Sequence, residues 1–184
     1  MLTNLLLPII AATVALFFAS FLSWMILQLH KKDWVKIGKE DEFMQGMRNC
    51  DIPPGNYMFP GCNSPEEAKS EVHQKKWAEG PCGILTVYRQ VNVSKMMQRN
   101  LGLTFLYFLA VNFCLAYLAT LALKPGAEFM VVFRFISTAG LMTFLAAIVP
   151  HAIWFHCRIV GHVLESIAFA AISGAIFAAM WPKV

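Results

Sequence analysis

Two groups of residues in this 184-residue chain carry side chains suited to metal or cofactor chemistry. The first is Cys50, Cys62, His73 and Cys82, the donor set of a tetrahedral Cys3His zinc site. The intervening stretches hold 11, 10 and 8 residues and no paired CxxC knuckle, so free thiols beside an exposed histidine are the competing reading. The second group is His151, His156, Arg158, His162 and Glu165. Arg158 to His162 is an i,i+4 step and His162 to Glu165 an i,i+3 step, which puts the three on one helix face. His151, His156 and His162 are candidate haem or pigment ligands. A bis-histidine haem needs facing imidazoles from two helices at one depth, however, and these three come from one short stretch, with His30 the distant candidate. A headgroup-level cluster binding lipid phosphate is the competing reading, and proton handling is a third. A carboxylate-bridged di-iron site would need several more acids inside the apolar segments. The ten methionines form no repeated MxxM…MxxM array that would suggest copper, so they read as packing. There is no P-loop, G-x-G-x-x-G, G-x-S-x-G or HExxH.

The elements that must position these groups are apolar. Runs over Leu5–Leu29, Leu101–Leu123, Phe129–Val149 and Ile159–Met180 are each long enough for a hydrocarbon core of about 30 Å, which takes about 20 helical residues. A bilayer offers no water to exposed backbone groups, so the runs must be helices. Hydrophobic residues make up 58% of the chain and charged ones 14%, an imbalance that argues against a soluble helical protein. The expected architecture is an all-α membrane protein of four transmembrane helices, with a small α+β insert between helices 1 and 2. Residues 1–29 form the first helix, 30–100 the insert and 101–184 a three-helix region.

Eleven of the 15 Lys and Arg residues lie between Lys31 and Arg99. The positive-inside rule therefore puts the insert in the cytoplasm and both termini outside. Nine acids in the same segment leave it nearly balanced, which disfavours nucleic acid as a partner and suits lipid headgroups. Met1–Asn4 carries no Lys or Arg and no A-x-A-like site follows the first run, which reads as a retained anchor rather than a cleaved signal. Free thiols are expected in a cytoplasmic insert, whereas an inverted topology would permit a disulfide among Cys50, Cys62 and Cys82.

Small residues recur every fourth position in the first helix (Ala11, Ala15, Ala19, Ser23) and in the fourth (Ala170, Gly174, Ala178), as in close-packing membrane helices. Asn112, Arg134 and Glu165 are polar positions to account for inside the spans. Asn112 is placed to hydrogen-bond across helices. Arg134 and Glu165 sit at depths differing by roughly 13 Å at 1.5 Å rise per residue. They are too far apart to pair, so Arg134 is expected to snorkel outward or meet Glu128. Within the insert, Glu40–Cys50 suits a short helix and the prolines at 53 and 54 stop it. Tyr57–Cys62 reads as an apolar loop. Ser64-Pro65-Glu66-Glu67 caps a helix expected over Pro65–Glu79, and Gly83–Val93 alternates like a strand.

The stretches Asp51-Ile52-Pro53-Pro54-Gly55-Asn56-Tyr57-Met58-Phe59-Pro60-Gly61-Cys62 and Glu79-Gly80-Pro81-Cys82-Gly83-Ile84-Leu85-Thr86-Val87 match PPGxYMFP and GPxGxLTV patterns. With Ile153-Trp154-Phe155 and the terminal Trp181-Pro182, they make the chain resemble a family of small bacterial four-span inner-membrane proteins without a known activity. The chain departs from that pattern in its histidines around Phe155–Gly161. The resemblance implies a bacterial membrane protein with the same four-span plan and supplies no reaction.

Without a reactive constellation, the expected role is non-catalytic: an accessory, scaffolding or assembly subunit bound to other membrane-protein subunits, such as those of an energy-transducing complex, and holding no cofactor. The alternative is a haem- or pigment-binding membrane protein using His151, His156 or His162. A further alternative is a small oligomeric transporter or channel.

Overall fold

The computed structural model describes residues 2–89 and 92–183. Four helical segments are long and apolar enough to cross a membrane: Leu2–Ile26, Val93–Ala122, Phe129–Phe155 and Val160–Ala179. The first comprises a 3-10 turn, helix α1 (Leu6–Phe21) and a terminal π turn (Leu22–Ile26). The second is the single helix α5 (Val93–Ala122). The third comprises α6 (Phe129–Ala146) and α7 (Ile148–Phe155), and the fourth is α8 (Val160–Ala179). Helix α5 starts eight residues before the apolar run, because the Asn92 carboxamide caps it by accepting from the Lys95 amide at 3.1 Å.

Residues 36–96 form a separate compact unit. It contains α2 (Glu40–Asn49), β1 (Gly55–Phe59), α3 (Pro65–Ala68), α4 (Glu71–Glu79) and β2 (Gly83–Val87). Tyr57-Met58-Phe59, expected in a loop, is a strand: β1 pairs antiparallel with β2, Gly55 opposite Val87 and Phe59 opposite Gly83. The expected long helix is broken in two. Ser64 caps α3 by accepting from the Glu67 amide, and Ser70 caps α4 by accepting from the His73 amide. A second serine cap six residues after the first competes with continuing the helix.

In the membrane unit, the core is built from Leu5, Ile9 and Ala12 of the first span, Leu115, Ala116 and Ala119 of α5, Val132 and Ile136 of α6, and Phe177 and Ala178 of α8. The buried stripe of α1 is Leu5, Pro8, Ile9, Ala12, Thr13 and Leu16. The row Ala11, Ala15 and Ala19 is only half-buried, and Ser23 is buried. Larger apolar side chains remove more surface per residue and so set the inward face. In α8, Ala170, Gly174 and Ala178 are all buried. A Cβ on Gly140 of α6 would lie 3.4 Å from the Ala170 Cα, and one on Gly174 would strike Ser137 Oγ and the Phe133 carbonyl. The two helices thus approach along small residues.

Asn112 is fully buried and ties three spans together. Its Nδ2 donates to the Phe108 carbonyl (2.9 Å) and to Thr13 Oγ1 (3.5 Å), while Ser173 Oγ donates to its Oδ1 (3.1 Å). At the other end of α8, Trp181 Nε1 donates to the Lys124 carbonyl (3.0 Å) and the Gly126 amide to the Pro182 carbonyl (2.8 Å).

The α6–α8 approach predicts that Gly174→Ala destabilises the reconstituted protein by about 1–3 kcal/mol through overpacking. Gly102→Ala, where a Cβ meets nothing within 4 Å, should be neutral or stabilising by up to about 1 kcal/mol. Thermal unfolding in lipid nanodiscs checks both.

Candidate functional site: a buried histidine–carboxylate centre

With four crossings, the end of the first span and the start of the fourth lie on the same membrane face, and a polar centre forms between them. It begins with how α1 stops. In the π turn the Leu27 amide donates to the Leu22 carbonyl (2.9 Å) and the Leu29 amide to the Ser23 carbonyl (3.1 Å). Gln28 takes a positive φ of 49°, so the chain reverses. His30 then lies beneath Trp24, the two rings stacked at 4.2 Å and 16°. Only 3% of His30 is exposed. One short turn later, Asp33 places Oδ2 2.7 Å from His30 Nδ1.

The first turn and a half of α8 supplies the other wall. A Cβ on Gly161 would come within 2.9 Å of His30 Cε1 and 3.2 Å of the Leu29 carbonyl, so the imidazole rests directly on glycine backbone. Glu165 Oε2 lies 3.1 Å from His30 Nε2. That approach is too far off the N–H axis to be a hydrogen bond, and both His30 Nε2 and Glu165 Oε1 are buried without a hydrogen-bond partner. The His162 ring sits 4.4 Å from that of His30, with Nε2 4.0 Å from Asp33 Oδ2. Arg158, mostly exposed, reaches Asp33 Oδ1 with Nε at 3.5 Å.

The electrostatics are unbalanced. Two carboxylates, Asp33 and Glu165, flank one imidazole from opposite nitrogens and face a single guanidinium at the rim. A neutral imidazole has one N–H and satisfies only one of them. A buried carboxylate without a partner costs several kcal/mol, so a further positive charge, a proton or another cation, offsets the excess.

Of the predicted residues, His162 and Glu165 belong to this centre. His151 is exposed and lies against the Phe155 ring at 4.6 Å, and His156 is exposed where α7 ends with φ 51°. The three histidines therefore do not converge. Nor do Cys50, Cys62, His73 and Cys82. His73 Nε2 accepts from Trp77 Nε1 (2.9 Å), Cys82 Sγ donates to the Trp77 carbonyl (3.3 Å), and the three thiols are exposed and free. Among the described residues, the one group of three such side chains with convergent ligand atoms is His30, Asp33 and His162. Arg134 is exposed on α6 and has no ion-pair partner among the described residues.

Sequence reasoning left Asp33 unassigned and His30 without a partner. The available signals were span parity, which brings positions near 30 and 160 to one face, the i,i+3 spacing of His30 and Asp33, and a glycine at 161 beside an ionisable residue in a span.

The seating of His30 on Gly161 predicts slow modification by diethyl pyrocarbonate relative to the exposed His151 and His156. Gly161→Val should speed modification of His30 on the order of tenfold or more, through about 1–3 kcal/mol of overpacking, and leave His151 unchanged. Peptide mass spectrometry reads each site. No protein-family profile, curated protein or solved structure matches this chain.

Proposed function

We propose that the protein is a non-catalytic accessory or assembly subunit of a larger membrane complex, set in a bacterial inner membrane with the insert cytoplasmic and both termini outside. The observation that carries this reading is Arg134. It lies five residues into α6, about 7.5 Å along the helix axis from Phe129, inside an apolar span. It lines a shallow groove of about 580 Å³ with Leu123, Val131, Phe135 and Met142. Charged residues within spans characteristically pair or face a protein interior, so an exposed one beside an apolar groove suits a helix from another subunit that offers an acceptor. The third span is also the least covered, 17% of its apolar window being buried against 44% in the fourth. The concentration of Lys and Arg between residues 31 and 99 supports the orientation.

A photo-crosslinking amino acid at Met142, 69% exposed, should capture a defined membrane protein in native membranes. Arg134→Leu should abolish the adduct and the co-purifying partner, since removing one member of a buried charge pair costs about 2–5 kcal/mol. Adducts to lipid alone, with Arg134→Leu migrating as wild type, would overturn the proposal.

A further inference from the structure

We propose that His30, Asp33 and His162 form a binding site for one divalent first-row transition-metal ion, in the range from Mn(II) to Zn(II), at the junction of the first and fourth spans. The site is independent of the subunit role argued above. Each of the three residues offers a ligand atom, and the three atoms lie within 4.8 Å of one another. Bonds of about 2.0–2.2 Å to nitrogen and oxygen place ligand atoms roughly 3–4 Å apart. The His30–Asp33 pair, hydrogen-bonded at 2.7 Å, need open only slightly to reach that spacing, and His162 Nε2 stands 4.0 Å from the same Asp33 oxygen. His162 is the most exposed of the three ligands, so a small rotation of its ring completes the set. Two imidazoles and one carboxylate, with positions left for water, suit intermediate divalent transition ions. Calcium and magnesium prefer all-oxygen shells, and copper(I) prefers sulfur.

The competition between the two carboxylates for His30 explains the placement of Glu165. An ion bound through His30 Nδ1 requires the imidazole proton on Nε2, the nitrogen that faces Glu165 Oε2 at 3.1 Å. With an ion held between Nδ1 and Asp33, the Nε2 proton would face Glu165, whose carboxylate would need only a small shift onto the N–H axis for both acids to be satisfied. A carboxylate behind a ligating histidine fixes the tautomer and raises ligand basicity. In this arrangement Glu165 is a positioning residue, which accounts for a carboxylate buried against a nitrogen with which it makes no aligned hydrogen bond. Trp24 stacked on one face of His30 and Gly161 beneath it hold the ring in place. The ion's two positive charges match the two carboxylates, and Arg158 reaches Asp33 from the exposed rim.

The test uses the full untagged chain in lipid nanodiscs, stripped with a chelator and titrated with Co(II). The expected result is one equivalent bound, with visible d–d absorption, displaced by Zn(II) but not by millimolar Mg(II). Asp33→Asn and His162→Ala should each remove the saturable band, and Glu165→Gln should weaken binding by about 10–100-fold. Replacing Cys50, Cys62 and Cys82 together by Ser should change nothing. Helical circular dichroism and the size-exclusion profile separate loss of ligand from loss of fold. His162→Gln, at the partly exposed position, is the second variant should His162→Ala misfold. The proposal is overturned by a wild-type protein with no saturable Co(II) site, by Asp33→Asn and His162→Ala variants that bind like wild type, or by binding that disappears only with the cysteines.

Discussion

The hydrocarbon core hydrates nothing, and the rest of the structure follows from how each polar group in the spans is satisfied without water. Hydroxyls turn back on their own helices: Thr13 donates to the Ile9 carbonyl at 2.8 Å, Thr143 to the Ala139 carbonyl at 2.8 Å, and Ser166 to the His162 carbonyl at 2.7 Å. The Asn112 carboxamide has too many donors and acceptors for that solution, so it recruits Thr13 and Ser173 from two other spans. A carboxylate is more demanding again. The penalty for burying Glu165 far exceeds the roughly 0.6 kcal/mol typical of an interhelical hydrogen bond in a membrane. Its surroundings therefore have more influence than any single neutral contact on how the chain closes over the start of α8.

That influence reaches back into the first span. For His30 to meet Glu165, the chain must leave α1, reverse within a few residues and return beneath the helix end. The π turn widens the last turn, and the left-handed Gln28 completes the reversal. π turns are rare and tend to mark functional positions because they cost regular hydrogen bonding. Here the irregular turn buries an imidazole between the Trp24 ring and the Gly161 backbone. Trp24, Gly161 and the π turn are thus parts of one arrangement whose purpose is the position of a single ring.

The four spans were legible because their signal is long: about 20 apolar residues with at most one charge admit few other readings. The Ser64 cap was legible too, because its chemistry is local. The strand Gly55–Phe59 was not, since its register depends on a partner 24 or more residues away and its alternation is only five residues long. In α1 the small-residue row Ala11, Ala15 and Ala19 lies half-buried at the edge of the packed face and Ser23 is buried, while Leu5, Ile9, Ala12 and Leu16 fill the centre of that face. In the candidate site, His162 and Glu165 were legible as one helix face because their spacing is helical, whereas Arg158, expected on the same face, lies in the loop before α8 begins at Val160. Asp33 was hidden because its relation to them spans more than 120 residues. Helix periodicity carries no information about such a pairing, although the parity of the spans narrows where to look.

The two ends of the membrane unit are closed in physically different ways. At one end, Trp181 on the Lys124 carbonyl and Gly126 on the Pro182 carbonyl join the last span to the turn between the second and third through neutral groups. At the other, Asp33, Glu165, Arg158 and two imidazoles join the first span to the fourth through charges. Neutral hydrogen bonds hold equally at any ionic composition. A charged closure is only as tight as its charge balance, since one unmatched carboxylate weakens every contact that depends on it. Any cation taken up at the centre therefore tightens the junction of the first and fourth spans and leaves the opposite end unchanged.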